Sequence, residues 1–336
     1  MTNDLLHGGA LDHMRKSFPD APTPWADLST GINPWPYPHT EISNDCLSRL
    51  PSHAAYRTCR QSMAKALGAL EDTILLAPGS ELLIRLLPTV IQSSKISILS
   101  PTYGDHPEVW RWTDAEVIET ADPLAMAPSA DAIVVCNPNN PDGRKYKPQA
   151  LEEARQQLAR RGGWLIVDEA YGDLDPTHSL APRGGVDGLV LLRSFGKFFG
   201  LAGLRFGALI APPELVKSIG DLLGAWPVSG PALEIATRAY ADTTWQMETR
   251  SRLRDASKKL KSLLQAGGLK PVGGTDLFQY IDVDHAHTVW EHLARHGIYV
   301  RRFGWSDRYL RVGLPSGSEE EARLAAAVHG LSRGGF

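Results

Sequence analysis

Through the middle of the chain, apolar residues come in short unbroken runs rather than in strict alternation. "TILLA" (73–77), "KISIL" (95–99), "DAIVVC" (131–136), "GWLIV" (163–167), "GLVLL" (188–192) and "LRFGALIA" (204–211) are such runs, with "EVIET" (116–120) a more polar one. Helical patterns such as "GSELLIRLLPTVI" and "PQALEEARQQLARR" (148–161) lie between them. Strands that are apolar throughout must be covered on both faces, so this pattern predicts a mainly parallel sheet between helical layers. After about residue 225 the pattern changes. A long helical region over roughly 230–266 leads to "LFQYIDV", the helical "TVWEHLARHG", "IYVRRF", "YLRVGL" and a closing helix from Ser318. That order predicts a separate α+β domain with antiparallel strands. The first 40 residues, rich in Pro, Gly and Trp and ending in "LSTGINPWPYPHT", predict an ordered arm with turns rather than a packed layer. The expected chain is therefore α/β: an arm over 1–40, a large domain with a mainly parallel mixed sheet over 41–225, and a smaller α+β domain over 226–336.

Composition changes this picture mainly by exclusion. The 336 residues are 43% hydrophobic and 22% charged, with a formal net charge of -3, which gives no reason to expect a nucleic-acid or polybasic membrane partner. The 3 cysteines, Cys46, Cys59 and Cys136, are too few and too scattered for a disulfide framework or a metal knuckle, which suggests a reducing cytosol. No stretch approaches the ~20 apolar residues of a membrane helix, and the N-terminus lacks the apolar core of a signal peptide. The 11 histidines show no metal spacing, so no metal site is expected.

Candidate chemistry follows from where the strands end, because ligands of an α/β sheet sit at the carboxyl ends of its strands. After the first run comes "PGSE" (78–81), a Gly-Ser step into a helix whose free N–H groups suit a phosphate. Tyr103 follows the second, in a Pro-anchored loop where a ring could stack on a flat ligand. "NPNNPDG" (137–143) forces a defined turn and presents the amide of Asn140. "DEAY" (168–171) puts Asp168 at the end of a buried strand, where a carboxylate needs a cation, with Tyr171 beside it. Last comes "LLRSFGKFFGLAGLR" (191–205), in which one ammonium, Lys197, stands in an apolar run. Desolvation lowers a lysine's pKa and favours the nucleophilic amine that imine formation requires. Dinucleotide, P-loop, HExxH and GxSxG patterns are absent from the strand-to-helix turns. An aldehyde cofactor with a pyridinium nitrogen and a phosphate, pyridoxal phosphate, matches the three demands that remain.

Read together, "NPNNPDG", "VDEAY" and "SFGKFFGLAGLRFG" resemble the fold-type I pyridoxal-phosphate enzymes, the aspartate aminotransferase superfamily, in order and over nearly the whole chain. The resemblance implies that Lys197 binds the cofactor aldehyde, Asp168 pairs with the pyridine nitrogen, and Asn140 and Tyr171 hydrogen-bond the ring oxygen. It further implies that Tyr103 stacks on the ring, and that Gly79, Ser80 and Glu81 with Ser194 and Arg205 hold the phosphate. Arg311, in "YLRVGL", matches the arginine that grips a substrate carboxylate, a task suited to a bidentate guanidinium.

Within the superfamily, "HGGALDH", "DLSTGINPWPYP", "RLPSH", "SPTYGDHPEVWR", "WPVSGPALE" and "GGTDLFQY" resemble the threonine-phosphate decarboxylase branch of cobalamin biosynthesis. That likeness implies decarboxylation of L-threonine O-3-phosphate by a cytoplasmic homodimer. It gives His7, Gly8, Gly9, Asn33, Asn140 and Arg301 (or its neighbour Arg302) substrate-binding roles beside Arg311. The histidinol-phosphate aminotransferases share the catalytic core and supply the alternative, transamination. Two departures stand out: Asp142 replaces the usual Thr or Ser, and Leu50-Pro51 replaces a Tyr-Pro step, with Tyr56 a candidate substitute.

Overall fold

The structure, a computed structural model, describes residues 8–39 and 42–333. The chain forms two compact units. The smaller comprises the chain up to residue 35, residues 141–143 and the chain from 248 onward; the larger comprises 36–140 and 144–247.

In chain order the elements begin with α1 (Leu11–Ser17) and β1 (Ala26–Leu28) of the smaller unit. The larger unit follows with α2 (Asn44–Ser48), α3 (His53–Leu67), β2 (Ile74–Ala77), α4 (Ser80–Val90), β3 (Lys95–Leu99), α5 (Asp105–Trp110) and β4 (Glu116–Thr120). It continues with β5 (Ala132–Cys136), α6 (Pro148–Ala159), β6 (Trp164–Asp168), β7 (Leu189–Ser194), α7 (Phe195–Phe198), β8 (Gly207–Ile210), α8 (Pro213–Leu223) and α9 (Gly230–Ala241). After α10 (Thr243–Ala266) come β9 (Lys270–Thr275), β10 (Phe278–Asp282), α11 (Ala286–Arg295), β11 (Ile298–Arg302), β12 (Tyr309–Gly313) and α12 (Ser318–Arg333).

The larger unit's seven strands run β2-β8-β7-β6-β5-β3-β4. Strands β7, β6, β5, β3 and β4 are parallel, whereas β8 is antiparallel to both β7 and β2. Strand β2 therefore points the same way as β7, and the carboxyl ends of β2, β3, β5, β6 and β7 share one edge with the start of β8. Ile96, Ile98, Val134, Ile166, Val190 and Leu192 are sealed beneath Leu83 and Leu87 of α4 and Ile219 of α8. Each such side chain contributes roughly 1.5–3 kcal/mol on burial. This rigid layer is what holds the loops at the shared edge.

Sequence pattern places a domain boundary near 226, but the units divide at 247/248. Helix α9 packs along α3 and so belongs with the sheet. The predicted helical region over 230–266 is two helices, because Asp242 interrupts it and its Oδ1 accepts the Trp245 N–H at 3.0 Å. The smaller unit's sheet runs β1-β11-β12-β10-β9, with β1 parallel to β11 and the remaining pairs antiparallel. The predicted arm is thus partly a strand: Ala26 and Leu28 of β1 are buried against that sheet. Among the described residues, no helix is long and apolar enough to cross a membrane.

Candidate active site

The turn from β2 into α4 builds an anion cradle. Gly79 has φ +93°, a conformation that costs glycine nothing, and the first-turn N–H groups after it have no partner within the helix. A Cβ on Gly79 would stand 2.9 Å from Arg205 Nη2, and one on Gly207 would stand 2.6 Å from the Ser80 nitrogen. Ser194 pairs with Gly207 across the β7–β8 ladder. Arg205 itself has φ 51°, the only positive value for a non-glycine residue among those described. That conformation costs about 1–2 kcal/mol in a residue with a Cβ. Backbone nitrogens, a serine and a guanidinium thus converge where no side chain fits, an arrangement suited to a phosphate.

Asp168 closes β6 and is 5% exposed. Its Oδ2 accepts from His106 Nε2 at 3.0 Å, and its Oδ1 accepts the Ala170 N–H at 2.9 Å. Cys136, its register partner on β5, places Sγ 4.0 Å from the same Oδ2. Burial opposes a charge on His106, yet the Cys136 sulfur and the Asp168 carboxylate outweigh it and lift the imidazole pKa to about 10. A carboxylate offers about four acceptor positions, so Asp168 keeps capacity for a ligand's N–H. Tyr103 meets His106 edge-on, centroids 6.0 Å apart, and its hydroxyl donates to Glu81 Oε2 at 3.0 Å. Glu81 also accepts from Arg85 Nε at 2.7 Å, so its carboxylate serves Tyr103 and Arg85, leaving its backbone N–H to the cradle.

The raised His106 pKa has a measurable sign. Because the folded value exceeds the unfolded value of about 6.5, its stabilisation is full below about pH 6.5 and lost as pH rises through about 10. The melting temperature of the cofactor-free protein should fall over that window, and His106→Asn should flatten the fall. Equal slopes for the two proteins would contradict the pairing.

Lys197 lies half-buried on α7. Its neighbours Phe195, Phe198 and Phe199 are fully buried, and Phe195 stacks on Phe199 at 4.3 Å. This packing locks the backbone that presents the amine. Tyr171, 4% exposed, begins the turn after β6. Asn140 follows β5 in a loop pinned by its neighbours: Asn139 donates to the Pro101 carbonyl at 3.0 Å, and Asn137 accepts the Tyr146 N–H at 2.9 Å. All of these residues share the strand edge described above. Tyr56, by contrast, has its hydroxyl engaged by both the N–H and the carbonyl of Val228.

Of the predicted substrate residues, Gly8, Gly9, Asn33, Arg301 and Arg311 belong to the smaller unit and Asn140 to the larger. The Gly9 N–H donates to Ser29 Oγ at 2.8 Å, a Cβ on Gly8 would stand 2.6 Å from the Ser29 carbonyl, and Arg311 Nη2 donates to that carbonyl at 2.7 Å. Asn33 is buried and accepts the Trp35 N–H at 2.9 Å. His7 lies outside the described residues. Arg301 and Arg311 are register partners on β11 and β12, so they share a face of the sheet. Arg302 points the other way, its Nη1 2.9 Å from His287 Nδ1 and its guanidinium 5.3 Å from the Trp290 ring. Of the two arginines that sequence leaves open, Arg301 is the one beside Arg311.

The chain belongs to the aminotransferase class I and II family, whose model matches residues 42–328. Within it, the chain is similar to two proteins called threonine-phosphate decarboxylase. The one from Pseudomonas aeruginosa is 38% identical over 97% of this chain and 98% of that protein. The one from Sinorhizobium is 35% identical over 98% of each. Among solved structures, the histidinol-phosphate aminotransferase from Sinorhizobium meliloti in complex with pyridoxal-5'-phosphate shares the fold, with TM-score 0.81. It is 19% identical, over 96% of this chain and 94% of that one.

Proposed function

We propose that the protein is a pyridoxal 5'-phosphate-dependent decarboxylase that converts L-threonine O-3-phosphate to (R)-1-amino-2-propanol O-2-phosphate, a step of cobalamin synthesis. The carrying observation is the Arg301–Arg311 pair on one face of the smaller unit's sheet. A substrate with a carboxylate and a phosphate calls for two fixed guanidiniums. The two long relatives at 35 and 38% identity support the same reading.

The residues present fit the cofactor. The recess among Gly79, Ser80, Ser194, Arg205 and Gly207 excludes side chains and offers donors for a phosphate, while Asp168, oriented by His106, can accept from a ring N–H. Bound there, the cofactor supplies a conjugated electron sink for a bond broken at the substrate's Cα. The remaining work belongs to the chain. Asp168 keeps a proton on the ring nitrogen, and Asn140 and Tyr171 donate to the ring oxygen. Tyr103 covers the ring. Lys197 Nζ would hold the aldehyde carbon and, with substrate bound, would carry a proton to Cα. Arg311 holds the carboxylate and Arg301 the phosphate; the orientation they impose decides whether the carboxylate or the hydrogen leaves Cα.

L-Threonine O-3-phosphate supplied without any keto acid should give equal amounts of CO2 and aminopropanol phosphate. Turnover only in the presence of 2-oxoglutarate would replace this reading with transamination. Arg301→Ala should raise KM for the phosphorylated substrate by about 10–100-fold with a smaller change in kcat, the loss of one charged hydrogen-bonding partner. We further read the protein as a cytoplasmic homodimer, which sedimentation of the holoenzyme and cell fractionation would test. Leu47, Leu50, Leu222 and Trp226 are more than half exposed on the larger unit, which suits a covered face, and Cys46, Cys59 and Cys136 are free thiols.

A further inference from the structure

Between Asn140 and Arg144 the chain leaves the larger unit for three residues, Pro141–Gly143, which belong to the smaller one. Backbone contacts with β9 hold this excursion. The Gly274 N–H donates to the Asp142 carbonyl at 2.8 Å. A Cβ on Gly273 would stand 2.3 Å from that carbonyl oxygen, and one on Gly143 would stand 1.8 Å from the Gly274 carbonyl oxygen. No real Cβ tolerates such distances, so the fit exists only because positions 143 and 273 are glycine. Gly143 and Gly274 also have φ of +74° and +137°, which a side chain would strain. Strand β9 ends its sheet, and an edge strand presents N–H and carbonyl groups that the loop can use.

We propose that Gly143, Gly273 and Gly274 form a backbone slot that positions Asn140, making β9 a positioning element for the donor to the cofactor's ring oxygen. The proposal rests on the cofactor site assigned above. Asn140 is caught between two anchors. Upstream, Asn139 is bonded to Pro101 and Thr102; downstream, the slot holds Asp142, with the fixed φ of Pro141 between. Closing the slot with a methyl group would push Pro141–Gly143 outward and carry the amide with it. A displacement of about 1 Å at such a group costs on the order of 10²-fold in rate.

The test uses the holoenzyme and the visible absorbance of the bound cofactor as a function of pH. A donor to the ring oxygen withdraws electron density and lowers the pH at which the conjugated nitrogen beside it loses its proton. Gly273→Ala is the informative variant, because its φ lies outside the left-handed region and the new methyl meets chiefly the Asp142 carbonyl. It should raise the titration midpoint by on the order of one pH unit, as should Asn140→Ala, and the double variant should rise no further. Val272→Ala, a half-exposed neighbour on β9, should titrate like wild type. A wild-type midpoint in Gly273→Ala beside a shifted Asn140→Ala overturns the slot. An unmoved Asn140→Ala overturns the underlying cofactor site instead. Should Gly273→Ala fail to fold, hydrogen exchange of wild type decides: the Gly274 amide should be protected like those of β10, and exchange at the rate of an open edge overturns the proposal.

Discussion

Lys197→Ala should fold with the far-ultraviolet circular dichroism of wild type, bind pyridoxal 5'-phosphate without its covalent visible band, and lose turnover by on the order of 10⁴-fold or more. The fold should survive because the substitution removes a half-buried side chain from α7 while Phe195, Phe198 and Phe199 keep that turn packed. Cofactor affinity should survive in part, because the phosphate cradle of Gly79, Ser80 and Arg205 does not include the lysine. What disappears is the only amine assigned both to hold the aldehyde and to move a proton at Cα. Absorbance, circular dichroism and turnover on one preparation separate these effects. A variant that kept the band would show that another amine holds the cofactor.

The second large effect is on stability. Arg193→Met should lower the melting temperature by on the order of 10 °C. Arg193 is 1% exposed, with Nη1 2.8 Å from Glu169 and Nη2 bonded to Asp173, both also buried. Glu169 further accepts from Ser179 Oγ at 2.6 Å and the Leu180 N–H at 2.8 Å. Removing the guanidinium leaves two carboxylates without their counter-charge, a loss of about 3–5 kcal/mol. At a few degrees per kcal/mol in large domains, that gives the stated shift. Replacing Glu169 and Asp173 by their amides in the same variant should recover part of it. A change within two degrees for Arg193→Met alone would mean the network adjusts without its centre.

These two arginine and lysine sites show how differently residues disclose themselves. Lys197 is legible because a cation in an apolar run contradicts its surroundings, and the strand-then-helix pattern places it at a ligand-binding edge. Asp168, Tyr103 and the Gly-Ser turn are legible for the same positional reason. His106 is not: a single histidine three residues after Tyr103 carries no pattern, and only the chain's path from β3 to β6 brings it to Asp168. Cys136 and Thr102 are hidden in the same way. Strand β9, "KPVGGT", carries no strand pattern, because proline and two glycines conceal its propensity. Strand β1 is three residues long and pairs with a segment almost the whole chain away, so no local window contains its partner. The choice between Arg301 and Arg302 required the register of β11 against β12, which alternation alone leaves undetermined.

The discontinuity of the smaller unit has a consequence for synthesis. The larger unit has all of its chain once residue 247 has left the ribosome, so its sheet can close while translation continues. Strand β1, among the first segments made, must wait for β11 at 298–302, and Pro141–Gly143 must wait for β9. Pairings so distant in sequence form late. The newborn chain therefore passes through a stage in which the phosphate cradle is built but the loop bearing Asn140 is still unseated, and the last quarter of translation completes the catalyst rather than adding an independent module.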